Sequence, residues 1–246
     1  MKILALDSSG LVASVAIAED DILLAEYTLN YKKTHSQTLL PMLDEVTRMT
    51  ELDLQTIDAI AVAGGPGSFT GLRIGSATAK GLGLALNKPL VSVPTVDALA
   101  YNLYGCSANI CPMMDARRNQ VYTGIYTFDK EQFVTKRPQE PMAVEDIIGL
   151  LNDLGNEVVF LGDGVPVYRE QIHQLIKVPY RFAPANMNRQ RAASVAVLAM
   201  HYYEEGKIQT AAEHRPEYLR LSQAERERAE RQRQDEKSDD GQKTNG

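Results

Sequence analysis

Only two cysteines, Cys106 and Cys111, occur among the 246 residues. They lie close together, with no His or Cys partner at metal-ligand spacing. A disulfide framework and a zinc site are set aside, and the pair reads as spare core thiols in a reducing compartment. No apolar run reaches about 18 residues without a charge, because Arg73 and Lys80 interrupt the best candidate, so no membrane span is expected. Met1-Lys2 leads straight into Ile3-Leu4-Ala5-Leu6 and Asp7, too short a run for a signal peptide. A soluble cytoplasmic protein is the expectation. Positive charge is in short supply: 26 basic residues face 32 acidic ones, for a net charge of −6. That balance argues against a surface that grips nucleic acid by neutralising phosphates, a local basic face excepted. His35, His173, His201 and His214 show no paired spacing, and no Gly-x-Ser-x-Gly elbow exists, so Ser36 reads as a helix cap rather than a nucleophile.

What is present suits one large domain or two similar lobes with a real core, at 44% apolar and 24% charged residues. Lys2–Asp7 reads as a buried strand, Asp7-Ser8-Ser9-Gly10 as a turn, and Val12, Val15 and Ile17 as a second strand. With Glu19-Asp20-Asp21 as the next turn and Ile22–Leu29 as a third strand, the amino end is an antiparallel meander. A helix is expected from about Ser36 through Leu39, Leu43, Val46 and Met49, with Pro41 bending it or delaying its start. Asp53 caps a short turn before the strand Ile57–Ala63. Helix Thr70–Leu86 then ends at Asn87-Lys88-Pro89, followed by strand Leu90–Val93, helix Thr95–Tyr104 capped by Thr95, and strand Ile110–Met114. The pattern restarts at Asp115: strand Val121–Phe128, helix Val144–Leu154, strand Val158–Leu161, the turn Gly162-Asp163-Gly164, and helices Val167–Ile176 and Arg191–Glu204. This is an α/β chain with a cryptic duplication. Residues 1–105 form the first lobe and 106–221 the second. The tail 222–246 carries six basic and seven acidic residues and reads as solvated or disordered.

The glycine stretch Gly64-Gly65-Pro66-Gly67-Ser68-Phe69-Thr70-Gly71 organises the rest. It is neither a Walker A loop nor a dinucleotide fingerprint, since Gly-Lys-Ser/Thr and the third glycine are missing. Within the following helix Gly71, Gly75, Ala79 and Gly83 recur every four residues and form one nearly bare ridge. Helical Gly75, Gly81 and Gly83 together cost on the order of 3 kcal/mol against alanine, so something must approach the ridge closely. Close helix packing, internal or between subunits, is favoured over an anion nest built with Ser68 and Thr70. Asp7-Ser8-Ser9 is either a site for a metal-bound water and phosphate or an ordinary Asx turn. Asp115, from the duplicated turn, favours two carboxylates facing one cleft. Gly162-Asp163-Gly164 either lets backbone approach an adenine or ribose, or is simply a loop.

Several stretches in order carry a likeness: Ile3–Ser9, His35–Pro41, Gly64–Arg73, Asp115–Arg118, Gly162–Gly164 and Tyr218–Arg220. Over about residues 1–221 the chain resembles the TsaB (YeaZ) family, whose glycine motif is shared with its paralogue TsaD. The resemblance implies two actin-like lobes with duplicated mixed sheets and flanking helices, as in acetate kinase, sugar kinases, Hsp70 and actin. It also implies a role in forming threonylcarbamoyladenosine next to the tRNA anticodon, where TsaC makes the adenylate, TsaD transfers the group and the ATPase TsaE supports turnover. TsaB members are the noncatalytic platform that dimerises with TsaD, or with itself when alone, reaching tRNA only through the complex. TsaD-like enzymes carry a His-x-x-x-His metal motif where this chain has Thr95 and Leu99, so no metal or catalytic residue is expected. No cofactor is required. Asp7, Ser8, Ser9, Asp115, Gly162, Asp163 and Gly164 stand as remnants of a nucleotide cleft, with ATP or ADP binding at most weak. The expected partner surface is Ser36, Leu39, Leu43, Thr70, Gly71, Ile74, Gly75, Thr78 and Ala79. On that reading Gly75→Leu leaves the monomer folded and abolishes pairing. The alternatives are an ATP-dependent small-molecule kinase or ATPase using Asp7 and Asp115, and the protease assigned to some family members.

Overall fold

The computed structural model describes residues 1–31 and 33–220. The expectation for the tail 222–246 lies outside the described residues. The first sheet comprises β1 (Lys2–Asp7), β2 (Ala13–Glu19), β3 (Ile22–Leu29), β4 (Ala59–Gly65) and β5 (Leu90–Pro94), in the order β3-β2-β1-β4-β5. The meander β1-β2-β3 is antiparallel, while β4 and β5 join in parallel through crossover helices. Helix α1 (His35–Met49) links β3 to β4, α2 (Phe69–Leu86) links β4 to β5, and α3 (Thr95–Tyr101) follows β5. The second half repeats this plan. Its strands β6 (Asn109–Asp115), β7 (Gln120–Asp129), β8 (Gln132–Ala143), β9 (Val158–Leu161) and β10 (Tyr180–Phe182) lie in the order β8-β7-β6-β9-β10. Helices α4 (Val144–Leu154), α5 (Gly164–Leu175) and α6 (Ala192–Glu204) stand where α1, α2 and α3 stand in the first. The duplication expected from the sequence is thus explicit in the strand order.

The core forms layers. Side chains alternate along β1, so Ile3 and Ala5 face one cluster and Leu4 and Leu6 another. The outer cluster of the first sheet packs under α1 and α2, and Cys111, Met113, Phe160 and Ile147 pack the outer side of the second sheet under α4 and α5. Between the sheets sits a shared cluster holding α3 and α6. Helix α6 belongs to the second half in sequence, yet it packs on β1, β2 and β5 of the first. Ala192, Ala196 and Ala199 of α6 share one buried cluster with Ala5, Ala16 and Ala61 of the first sheet, and small residues on both sides suit a close approach of helix and sheet. Helix α3 in turn packs on β6 and β7. Each half therefore lends its third helix to the other. Among the described residues no helix is long and apolar enough to cross a membrane.

Several boundaries differ from the sequence expectation. Strand β8 was not anticipated, because Pro138, Pro141 and its charged residues break the apolar alternation. It survives as an edge strand, where proline removes no ladder bond that the sheet needs. The three-residue β10, also at an edge, was too short to leave a pattern. Strand β4 lies two residues later than expected and runs into the glycine loop. Helix α1 starts at His35 with Thr34 as its cap position, so Ser36 does not cap it; the Ser36 hydroxyl donates to Thr34 Oγ1 at 3.3 Å. Pro41 lies inside α1 on its exposed side and does not delay the start. Helix α5 begins at Gly164, since Pro166 is tolerated in a first turn where its missing N–H is not needed. Asp53 accepts from Gln55 N–H as expected, and Asn87 closes α2 at φ +54°. Cys111 is a core thiol pushed up to about 12 by burial, whereas Cys106 is half-buried.

Candidate functional site

The turn between β1 and β2 is closed on itself. Asp7 Oδ1 accepts from Ser9 N–H at 2.9 Å and from the Ser9 hydroxyl at 2.6 Å, a side chain replacing backbone in an Asx turn. The carboxyl is buried, which raises its pKa to about 6, while the two Ser9 bonds and nearby His35 pull it the other way. Ser8 donates its hydroxyl to Gly71 O at 2.9 Å, and Ser68 N–H donates to Ser9 O at 2.6 Å. The turn is thereby fastened to the start of α2, where Ser68 caps the helix by accepting from Gly71 N–H at 3.3 Å.

This fastening corrects the reading of the bare ridge. A Cβ on Gly71 would fall on the Ser8 carbonyl oxygen, and one on Gly75 would lie 2.5 Å from Ser8 Oγ, beside Val62. Ala79 is fully buried, and Gly83 faces Leu90 and Ala211. Gly71, Gly75 and Ala79 thus make room for this chain's own first turn and sheet, and present nothing to a partner. Leu39 and Leu43 are also withdrawn, at 1% and 5% exposure, into the cluster with Leu4, Leu6 and Ile60. The spacing located a close approach correctly, but a bare stripe carries no mark of which body covers it. The outer face of α1 and α2 keeps Ser36 and Thr70 exposed and Ile74 and Thr78 half-buried. Leu40 on α1 and Leu84, in the last turn of α2, are also exposed, at 56% and 70%, and the expected surface had omitted them.

Across the molecule the turn after β6 repeats the first. Asp115 Oδ1 accepts from Arg117 N–H at 2.8 Å and from the Tyr168 hydroxyl at 2.9 Å. Asp163 Oδ1 accepts from Asp115 N–H at 3.3 Å, and burial raises the Asp163 pKa. Gly65 and Gly162, at corresponding strand ends, adopt φ of +125° and +110°, a region that side chains rarely enter. Between the two turns lies a cleft of about 680 Å³. Ser9, Asp115 and Asp163 reach it, together with Lys33, Arg117 and Thr70. Asp7, Ser8, Gly162 and Gly164 do not line it. The expected pair of carboxylates from Asp7 and Asp115 therefore does not assemble, because Asp7 is turned inward to hold its own loop. Among the described residues no three His, Cys, Asp or Glu side chains are grouped so as to hold a metal ion.

Thr95 does not cap α3; Pro94 holds that position. The buried Thr95 hydroxyl accepts from Gly65 N–H at 3.1 Å, and Leu99 lies in the shared core. Two contributors escaped sequence reasoning. Gln139, on the unanticipated β8, donates to Gly65 O at 3.0 Å, and Glu217–Arg220 line the cleft from the far end of the described chain. Tyr218-Leu219-Arg220 carries part of the family likeness, but nothing in its composition indicates where it docks.

Comparison with known proteins places this geometry. The family model of TsaD, tRNA N6-adenosine threonylcarbamoyltransferase, matches residues 22–228. The tRNA threonylcarbamoyladenosine biosynthesis protein TsaB of Bacillus subtilis is 32% identical over 228 residues, spanning 92% of this chain and 96% of that protein. Its Escherichia coli namesake is 28% identical over 226 residues, spanning 89% and 95%. The structure of YeaZ from Pseudomonas aeruginosa superposes with a TM-score of 0.74 at 26% identity, covering 89% of this chain and all of that one. A second structure, of an uncharacterized protein with similarity to peptidase YeaZ from Pseudomonas aeruginosa, has a TM-score of 0.76 at 26% identity, covering 89% and 99%.

Proposed function

The chain belongs to the TsaB family of tRNA threonylcarbamoyladenosine biosynthesis proteins, and from that premise we propose that it is the noncatalytic scaffold and activator of the threonylcarbamoyl-transferring complex. In this role it dimerises with a TsaD paralogue, pairs with itself when alone, works alongside the ATPase TsaE in the cytoplasm, and meets tRNA only through the complex. The observation that carries the reading is the use made of Thr95 and Leu99. At the positions where the resemblance puts the transfer enzyme's metal ligands, a hydroxyl holds Gly65 N–H and a leucine fills the core. Neither has a nitrogen or carboxylate to give a metal. The docking face we assign is the outer side of α1 and α2, with Leu40 and Leu84 as apolar contacts and Ser36, Thr70, Ile74 and Thr78 on the same two helices.

The test is to purify the chain alone and with its TsaD paralogue, supply threonylcarbamoyl-adenylate, TsaE and tRNA, and measure mass and modification for each. The chain alone is expected to modify no tRNA, and the pair to run as a one-to-one complex with TsaD activity dependent on it. Leu40→Glu is expected to keep the fold and weaken co-elution at least tenfold. Transfer by the chain alone, or TsaD activity indifferent to its presence, overturns the reading.

The cleft favours a second reading, an ATP-dependent small-molecule kinase or ATPase, since Asp115 and Asp163 both reach it. Turnover of Mg-ATP by the isolated chain distinguishes this from the scaffold. A peptidase finds no support around Ser36: its hydroxyl meets Thr34, and the neighbouring His35 Nε2 is bonded to Gly10 O at 2.8 Å.

A further inference from the structure

A sheet edge offers unpaired N–H and C=O groups to any strand that meets it, and among the described residues three of the four edges here are guarded. Beside β5, Gln209 exchanges two backbone bonds of 2.8 Å with Leu90, and the segment beyond runs on to Arg220, whose Nη1 donates to Ala116 O at 2.8 Å. Strand β8 carries Pro138 and Pro141 among Lys136, Arg137 and Glu140, and β10 is three residues long. Strand β3 has none of these devices. Its eight residues contain no proline and no basic side chain, and among the described residues no segment pairs with its outer side. Its one charge, Glu26, is withdrawn: Arg191 Nε donates to it at 3.1 Å and Ala193 N–H at 3.2 Å.

Large apolar side chains lie open along the same strand. Ile22, Leu23 and Leu24 are exposed at one end and Tyr27 in the middle, and Tyr31 follows beyond the other end at 65% exposure. One such residue on a surface is ordinary, but a row of them on a bare edge marks an interaction site. The flanking charges have opposite sign, with Asp21 exposed before the strand and Lys33 exposed after it. An antiparallel copy of β3 complements both features. It lays apolar residues against apolar residues and brings the acidic end of one copy to the basic end of the other. A parallel copy would set Asp21 against Asp21.

The β-bulge selects the register. Ile17 pairs with Ala25 and Ala18 with Leu23, so Leu24 is the extra residue, and the regular run is Ala25–Leu29 with Tyr27 at its midpoint. A two-fold axis at Tyr27 sets that residue against its own counterpart, Ala25 against Leu29 and Glu26 against Thr28. An axis one residue earlier would oppose two carboxylates. We infer that β3 is a self-complementary edge, at which two copies of this chain pair antiparallel about Tyr27 and join two five-stranded sheets into one. The paired run is short, which places the dimer in the small, reversible class. It uses a different face from the outer side of α1 and α2 and stands independently of the scaffold reading.

Cross-linking tests the register in the full chain with Cys106→Ser, Cys111 being buried. Tyr27→Cys is expected to give a disulfide-linked dimer under mild oxidation, since directly paired residues have Cα atoms about 4.5–5.5 Å apart. Ile22→Cys is expected to give none, because its two copies would stand about 33 Å apart at a rise of about 3.3 Å per residue. Sedimentation equilibrium of the Leu40→Glu chain reads the dimer with pairing through α1 and α2 removed. That chain is expected to dimerise at micromolar concentration, and adding Tyr27→Lys is expected to weaken the dimer at least tenfold with an unchanged thermal melt. No cross-link at Tyr27→Cys, equal cross-linking of both cysteine variants, or a Leu40→Glu chain that stays monomeric overturns the proposal. So does a Tyr27→Lys change that leaves the dimer intact and releases the TsaD paralogue instead, since the edge then takes another protein's strand.

Discussion

Asp7 illustrates how one residue type in one place can be read two ways. Its spacing suits a catalytic carboxylate, but its hydrogen bonds are those of a turn former, with both Ser9 donors converging on one oxygen. Burial raises its pKa from 3.8 to about 6, against the smaller opposing pull of the Ser9 bonds and His35. Between those pH values the folded chain holds a proton that the unfolded chain has lost. Its contribution to stability therefore falls as pH rises through about 4 to 6 and is level above that window. Asp163 and Asp97 are shifted the same way by burial and add slopes of the same sign. Asp7→Asn keeps an oxygen to accept from Ser9 and removes the charge. Urea denaturation at pH 4 and pH 7 is expected to show a shallower pH dependence in the variant, with a gain at pH 7 on the order of 2 kcal/mol. An unchanged slope would mean that the Asp7 charge is not held against its solvation.

At the scale of one element, α2 separates glycines that are needed from one that is not. Gly71 and Gly75 face Ser8 at distances no side chain tolerates, whereas Gly81 is exposed with nothing within 4 Å of a built Cβ. Gly81→Ala is expected to stabilise the fold by about 0.5–1 kcal/mol, the ordinary helix-propensity gain. Gly71→Ala must displace the Ser8 backbone and is expected to destabilise by at least about 2 kcal/mol. Thermal melts of the two variants check the opposite signs. Gly75→Leu is now expected to disrupt the monomer, because the added side chain would drive into Ser8 and Val62. The repeat of small residues on α2 was legible in the sequence, as were the left-handed stop at Asn87 and the short cap at Asp53. The identity of the covering body was not, since Ser8 lies 63 residues from Gly71 in the chain. Strand β8 was hidden for a related reason: an edge position excuses prolines that a central strand would forbid, and edge status belongs to the sheet.

For the whole molecule, the exchange of third helices makes the two halves one cooperative body. The first turn of α6 is tied into the first sheet: Ala192 N–H donates to Ser14 Oγ at 2.9 Å, Ala193 N–H donates to Glu26 Oε1 at 3.2 Å, and Arg191 pairs with Glu26. Asp97 on α3 accepts from Tyr126 of β7 at 2.7 Å and from Tyr202 of α6 at 3.4 Å, so one half-buried carboxylate joins both halves. Calorimetric unfolding is expected to give a single transition. Tyr126→Phe, which leaves Asp97 without its shorter bond, is expected to lower stability by about 1–3 kcal/mol while keeping that transition single. Two resolved transitions would show that the shared core does not couple the halves. Local pattern alone determined the duplicated α/β plan, most helices and strands, the two Asp turns and the place where backbone comes close, because each depends on residues near one another in the chain. Only the tertiary structure decided that Asp7 faces inward, that the glycine ridge is filled from within, that α6 crosses to the first sheet and that Arg220 reaches the turn at Ala116. Those outcomes depend on which distant surfaces meet, and a bare stripe, a buried carboxylate or a trailing Tyr-Leu-Arg looks the same in sequence whichever surface it meets.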